Sequence, residues 1–180
     1  MSTPAKPAHM ELRLRELAQL FNSLDRSPFI DRDLDQDAEE FIVGWARELP
    51  ATHEFELVVS LEVAPAPDRA AGAEGAVQRY FASRAEMKGR ELRQLLRRGR
   101  TSLLAGLLFL GVCIVLGVLL GRAAQGAVSV ILKEGLAIAG WVAMWRPLEI
   151  FLYDWWPLLE ERKLFRRLAR MSVRLVPPRT

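Results

Sequence analysis

One cysteine, two histidines and four lysines in 180 residues leave little material for several kinds of chemistry. A lone Cys113 excludes a disulfide framework and a CxxC redox or zinc pair. His9 and His53 are too few for a histidine metal site or an evident catalytic dyad. The chain has no glycine-rich phosphate loop, no GxSxG elbow and no HExxH helix. These absences predict a protein without a catalytic residue, cofactor or metal. The acidic run Asp31 to Glu40 places oxygen ligands at alternate positions, as a calcium loop does. Gln36 stands where that loop needs glycine, however, and Ile42 stands where it needs a bidentate glutamate.

What is present is strongly segregated. Residues 1–67 carry 6 basic and 13 acidic side chains, residues 68–100 carry 9 and 4, residues 101–145 carry 2 and 1, and residues 146–180 carry 8 and 4. An acidic head, a basic collar, a nearly uncharged centre and a basic tail are not the footprint of nucleic-acid binding, which needs a basic face with its own motif. Cations flanking an apolar centre match the cytoplasmic flanks of membrane spans instead.

Residues 101–121 contain no charge and predict a transmembrane helix, since about 20 residues at ~1.5 Å each cross a ~30 Å hydrocarbon core. The run begins a hundred residues into the chain, so a cleaved export signal is not expected. A second span is predicted over 127–145 after a short turn at 122–126. Lys133 and Glu134 interrupt it, at a depth from which lysine can reach the headgroups. Basic residues precede the first span and follow the second, which predicts a helical hairpin with both termini cytoplasmic. Cys113, Gly117 and Gly121 recur every four residues on the first helix, as do Gly135, Ala139 and Ala143 on the second. Each set forms a small-residue face for helix packing, within one hairpin or between copies. Lys133 and Glu134 form a candidate intramembrane polar site. Trp145, Tyr153, Trp155 and Trp156 suit a headgroup-level anchor, and the basic amphipathic segment 146–170 is expected on anionic lipid, with a partner-protein groove as the competing reading.

The remaining residues predict a small α+β cytoplasmic region over 10–67, preceded by a disordered start at 1–9. One helix is expected near Met10 to Leu24, where Leu14, Leu17, Phe21 and Leu24 recur at three- and four-residue spacing. A second follows Asp33 or Asp35 as cap, ends at Pro50, and offers Ala38, Phe41, Ile42, Trp45 and Leu49 as its apolar face. Residues 54–63 alternate with period two and predict a strand; a second, over 171–176 in the tail 171–180, is its natural neighbour. Residues 68–100 read as a basic helix leading into the first span.

The segments Arg32-Asp33-Leu34-Asp35 to Ile42 and Trp145 to Pro157 (WRPLEIFLYDWWP) resemble a family of small, uncharacterised bacterial membrane proteins with two spans. That resemblance implies a bacterial inner-membrane location and supplies no catalytic residues. The expected function is a membrane-anchored interaction or scaffold protein that binds another protein or itself. A small oligomeric transport or channel component using Lys133 and Glu134 is the alternative.

Overall fold

Period-two alternation of Phe55, Leu57, Val59 and Leu61 with polar or smaller residues builds a strand. In the computed structural model this strand lies at the centre of a three-stranded parallel sheet. Residues 8–25, 28–29, 32–50, 53–123 and 126–177 are described. Residues 1–7 of the expected disordered start, Asp31 of the acidic run, residues 124 and 125 of the expected turn and residues 178–180 of the tail lie outside them.

The elements run β1 (Ala8–Leu14), a 3-10 turn (Leu17–Leu20), α1 (Gln36–Glu48), β2 (Phe55–Leu61), α2 (Pro67–Ala123) and α3 (Ala127–Glu149). A π-helical segment (Ile150–Asp154), α4 (Trp155–Leu168) and β3 (Ser172–Val176) complete the order. β2 pairs in parallel with β1, Ala8 opposite Phe55 and Leu14 opposite Leu61, and with β3, Glu56 opposite Ser172 and Ser60 opposite Val176. The two expected strands are therefore neighbours, and a third joins them.

The chain divides into two compact units, Met1–Lys88 with Glu160–Thr180, and Gly89–Leu159. The first is a discontinuous α/β domain: its third strand is reached only after the whole of the second unit has been threaded. Its core joins Met10, Leu57 and Val59 of the sheet to Ile42 and Ala46 of α1, Val77 and Phe81 of α2, and Phe165 and Leu168 of α4. Phe81 and Phe165 stack at a 6.2 Å centroid distance. Asp35 caps α1 by accepting from the Asp37 N–H, so part of the acidic run is helix-start chemistry.

Three expectations for this unit are corrected. Residues 8–14 form β1 where a helix and a disordered start were expected. Met10 is fully buried, and Leu24 is 88% exposed, so the supposed helical stripe is not one face of anything. On α1 the buried set is Ala38, Ile42, Val43 and Ala46, and Trp45 lies outside it, its ring tilted 35° to Phe41 at a 5.8 Å centroid distance. On α4, Phe165 and Leu168 are buried in the protein core, so lipid does not cover that part of the basic amphipathic segment.

The second unit contains two helices long and apolar enough to cross a membrane. Only 17% of the apolar window in each is buried, unlike a core helix of a soluble domain. Leu108, Val128, Ile131, Ile138 and Trp141 are among the large apolar side chains left bare. α2 and α3 approach closely where side chains are smallest. A Cβ on Gly140 would lie 2.6 Å from the Leu110 side chain and 3.4 Å from the Leu110 backbone, and one on Gly106 would lie 3.2 Å from the Ala143 carbonyl oxygen. Small residues are what let two helix backbones approach this closely.

Candidate functional site

An open groove of about 690 Å³ in the α/β domain is lined by charged and polar side chains from three helices. α1 contributes Glu39 and Arg47, α2 contributes Tyr80, Arg84 and Lys88, and α4 contributes Glu161. Heptad-like spacing on α2 explains the placement: Ala73, Ala76, Val77 and Phe81 face the core, which sets Tyr80 and Arg84 at its rim. The Tyr80 hydroxyl donates to Glu39 Oε2 at 2.6 Å, and Arg84 Nε donates to Glu39 Oε1 at 2.8 Å. Lys88 and Arg47 approach the two Glu161 oxygens at 3.0 and 3.5 Å.

Burial first, and then the hydrogen bond to the Glu39 carboxylate, push the Tyr80 phenol well above its ordinary pKa. Burial works against the Arg84 cation, but the hydrogen bond and the charge of Glu39 outweigh it, and its pKa is raised. Both effects hold the phenol protonated and the guanidinium charged. Glu39 thus has donors on both oxygens, and the arrangement clamps α1 to α2. Such a carboxylate serves as a structural acceptor, its two oxygens taken by donors from one neighbouring helix.

α4 is bolted to the same domain by Arg167. Its guanidinium donates to the carbonyls of Pro50 and His53, both at 3.0 Å, and lies 4.2 Å from the Phe55 ring centroid. Desolvation by burial lowers its pKa. Sequence reasoning counted Arg167 among the surface cations; a signal existed only in the chain's need to close the α1–β2 connection, which a one-dimensional pattern does not display.

The sheet face away from the core is polar. Its central residue, Glu56, is only 6% exposed; His9 Nδ1 lies 2.9 Å from Oε2 and Arg174 2.7 Å from Oε1. His9 is thus a strand residue beside a carboxylate. No group of three or more His, Cys, Asp or Glu side chains with metal-holding geometry occurs among the described residues.

In the second unit the residues singled out from the sequence separate. Cys113 and Gly117 are buried, a Cβ on Gly117 would lie 3.5 Å from the Lys133 Cγ, and the Ala143 carbonyl lies over Gly106. Gly121, Gly135 and Ala139 face outward. Lys133 and Glu134 are both exposed on α3. Trp145, Tyr153 and Trp156 are 68%, 70% and 63% exposed. Trp155 is half-buried, edge-on to Trp156, with its indole N–H donated to the Phe151 carbonyl at 2.9 Å. Sequence reasoning missed Trp141, equally bare, although its ring chemistry is the same. Arg146 reaches Glu149 at 3.0 Å and Asp154 at 3.3 Å, so the charges of the WRPLEIFLYDWWP segment largely satisfy one another across the π-helical segment. Pro147, which lacks an N–H, precedes the register change to the wider helix.

Comparison with protein-family models, curated proteins and solved structures finds no match to this chain.

Proposed function

We propose that the chain is a membrane-anchored interaction protein of a bacterial inner membrane: the α2–α3 hairpin crosses the bilayer twice and holds the α/β domain at the cytoplasmic face. One observation carries the reading. β2 and β3 are hydrogen-bonded neighbours, although both apolar helices lie between them in sequence. The segments before and after the hairpin therefore share one compartment, which an even number of crossings satisfies and a single crossing does not. Arg93, Arg97, Arg98 and Arg100, all exposed on α2, give the positive flank that supports a cytoplasmic reading of this compartment and that would meet anionic lipid. Glu39, Tyr80 and Arg84, polar groups of the groove, are engaged in holding α1 to α2, which supports a binding role over a catalytic one.

The family resemblance of the Arg32–Ile42 and Trp145–Pro157 segments agrees with this location. The transport alternative draws on Lys133 and Glu134. Both lie on the uncovered surface of one hairpin, so a polar path there requires several copies. Single cysteines introduced at Glu48 and at Ser129 in a Cys113→Ser chain test the topology. A membrane-impermeant thiol reagent applied to intact cells should label the Ser129 position and leave the Glu48 position unlabelled until the cells are opened. Labelling of both positions in intact cells, or recovery of the chain in the soluble fraction, defeats the reading.

A further inference from the structure

Edge strands are normally protected, and the two edges of this sheet are treated differently. β3 is five residues long and runs into Pro177, which has no N–H to offer a neighbour. β1 is seven residues long, contains no proline or glycine, and pairs only with β2 among the described residues. The Ala8 N–H donates to Glu54 and the Leu14 carbonyl accepts from Glu62, so Ala8, Met10, Leu12 and Leu14 point their backbone groups at β2. His9, Glu11 and Arg13 must therefore turn theirs outward.

The side chains along that edge are self-complementary. In an antiparallel pairing of two copies of β1 about a two-fold axis at Leu12, Glu11 of one copy faces Arg13 of the second, and Arg13 faces Glu11. Leu12 then meets Leu12, and Met10 meets Leu14. The charged pairs fall at the outward-pointing positions, where each pair exchanges both its N–H···O=C bonds. A shift by two residues in either direction puts Glu11 against Glu11 or Arg13 against Arg13, so one register is selected. Both charged side chains are available for it: among the described residues they meet only each other, at 3.3 Å, with Arg13 83% and Glu11 55% exposed.

We propose that β1 is a homodimerisation edge, joining two sheets into one six-stranded sheet through an antiparallel β1–β1 contact. This names the partner for the interaction reading above as a second copy, and it rests on that reading only for where the dimer forms. A two-fold, isologous contact closes on itself and leaves no free β1 edge to propagate.

The test uses the full chain with two different tags, co-expressed and extracted in mild detergent, with dimer fraction measured against concentration. Glu11→Arg places two cations on each edge and Arg13→Glu two carboxylates. Each variant alone should dimerise roughly 30-fold more weakly, from two attractive cross-strand pairs turned repulsive. Mixing the two variants should restore dimers between unlike chains, and the double variant E11R/R13E should dimerise within a few-fold of the unchanged chain. Restoration in the mixture cannot come from misfolding of either chain. Dimerisation indifferent to both single changes, or a mixture no better than its parts, overturns the proposal. Copies that stay apart while a different protein co-purifies overturn it too and leave the membrane-anchored interaction reading standing. Recovery of β1-dependent dimers from the soluble fraction defeats the anchor and upholds the edge.

Discussion

The two units solve opposite problems with the same twenty side chains. In the α/β domain the large apolar residues point inward: Phe81 and Leu168 are fully buried, and charged groups close the rim. In the hairpin unit the large apolar residues point outward, and the inner seam is built from Gly106, Cys113, Gly117 and Gly140. Burial of apolar area drives the first arrangement. It would not drive the second in a lipid surround, as the proposed membrane anchor would have, where close backbone packing would take its place. Large-to-small changes should therefore damage the first unit, and small-to-large changes the second.

The largest effect is expected at the centre of the domain core. Phe81→Ala removes a ring stacked on Phe165 and should destabilise the domain by about 3–5 kcal/mol, whereas Leu108→Ala, at a site 72% exposed, should leave thermal unfolding of the detergent-solubilised chain within ~0.5 kcal/mol. Equal losses at the two sites would mean that the helices of the hairpin are covered by protein after all. Arg167→Ala comes next, at about 2–3 kcal/mol, because it takes a charged donor from the Pro50 and His53 carbonyls and removes the cation from the Phe55 ring. Its exposed neighbour in Arg166→Ala should cost less than ~0.5 kcal/mol. If the two arginines behave alike, α4 is not held as described.

The hairpin should show the reverse sensitivity. Gly140→Leu drives a side chain into Leu110 and should cost about 1–3 kcal/mol of helix packing, read as lost protease resistance of the hairpin in detergent. Gly135→Leu, where no atom lies within 4 Å of the added carbon, should change little. Overpacking damage at Gly135 equal to that at Gly140 would reveal a second packed face, as an oligomer of hairpins would have.

Much of this contrast was legible in the sequence, and the gaps have physical causes. Apolar length, charge-free in the first helix and broken only by Lys133 and Glu134 in the second, reveals the apolar helices, and period-two alternation reveals β2, because each pattern reports a single environment repeated over many residues. β1 was misread because Leu14, Leu17 and Phe21 satisfy a helical spacing while Ala8, Met10, Leu12 and Leu14 satisfy a strand spacing. Pairing with β2, forty-seven positions away, selects the strand. Amphipathicity of α4 was visible, but a pattern states only that one side is apolar and never what covers it. The small-residue repeats of four marked the right kind of residue and only part of the right face: Cys113 and Gly117 lie in the seam, while Gly135 and Ala139 do not. The Glu39–Tyr80–Arg84 clamp had no signal, since Glu39 lies some forty residues from Tyr80 and Arg84 and nothing in a one-dimensional pattern pairs them.

That clamp provides the finest test of the comparison, because it acts through protonation and has no counterpart in the hairpin. The Tyr80 pKa is raised in the folded domain, so at alkaline pH the folded chain keeps a proton that the unfolded chain has lost. Stability then falls as pH rises, starting near the ordinary tyrosine value of about 10. Below that pH the contribution is fully present, so no change is expected from this group between pH 6 and 9. Tyr80→Phe should cost about 1 kcal/mol at neutral pH, the size of a hydrogen bond at a half-exposed rim, and should flatten the decline above pH 10. Denaturant unfolding of the domain, followed from pH 7 to 11 in both chains, measures the difference in slope. An alkaline decline that is as steep in Tyr80→Phe as in the unchanged chain would assign it to other groups and reduce the clamp to a hydrogen bond without linkage. A difference in slope would show that the phenol's proton is held by folding, and so that the contacts of the α1–α2 rim persist in solution.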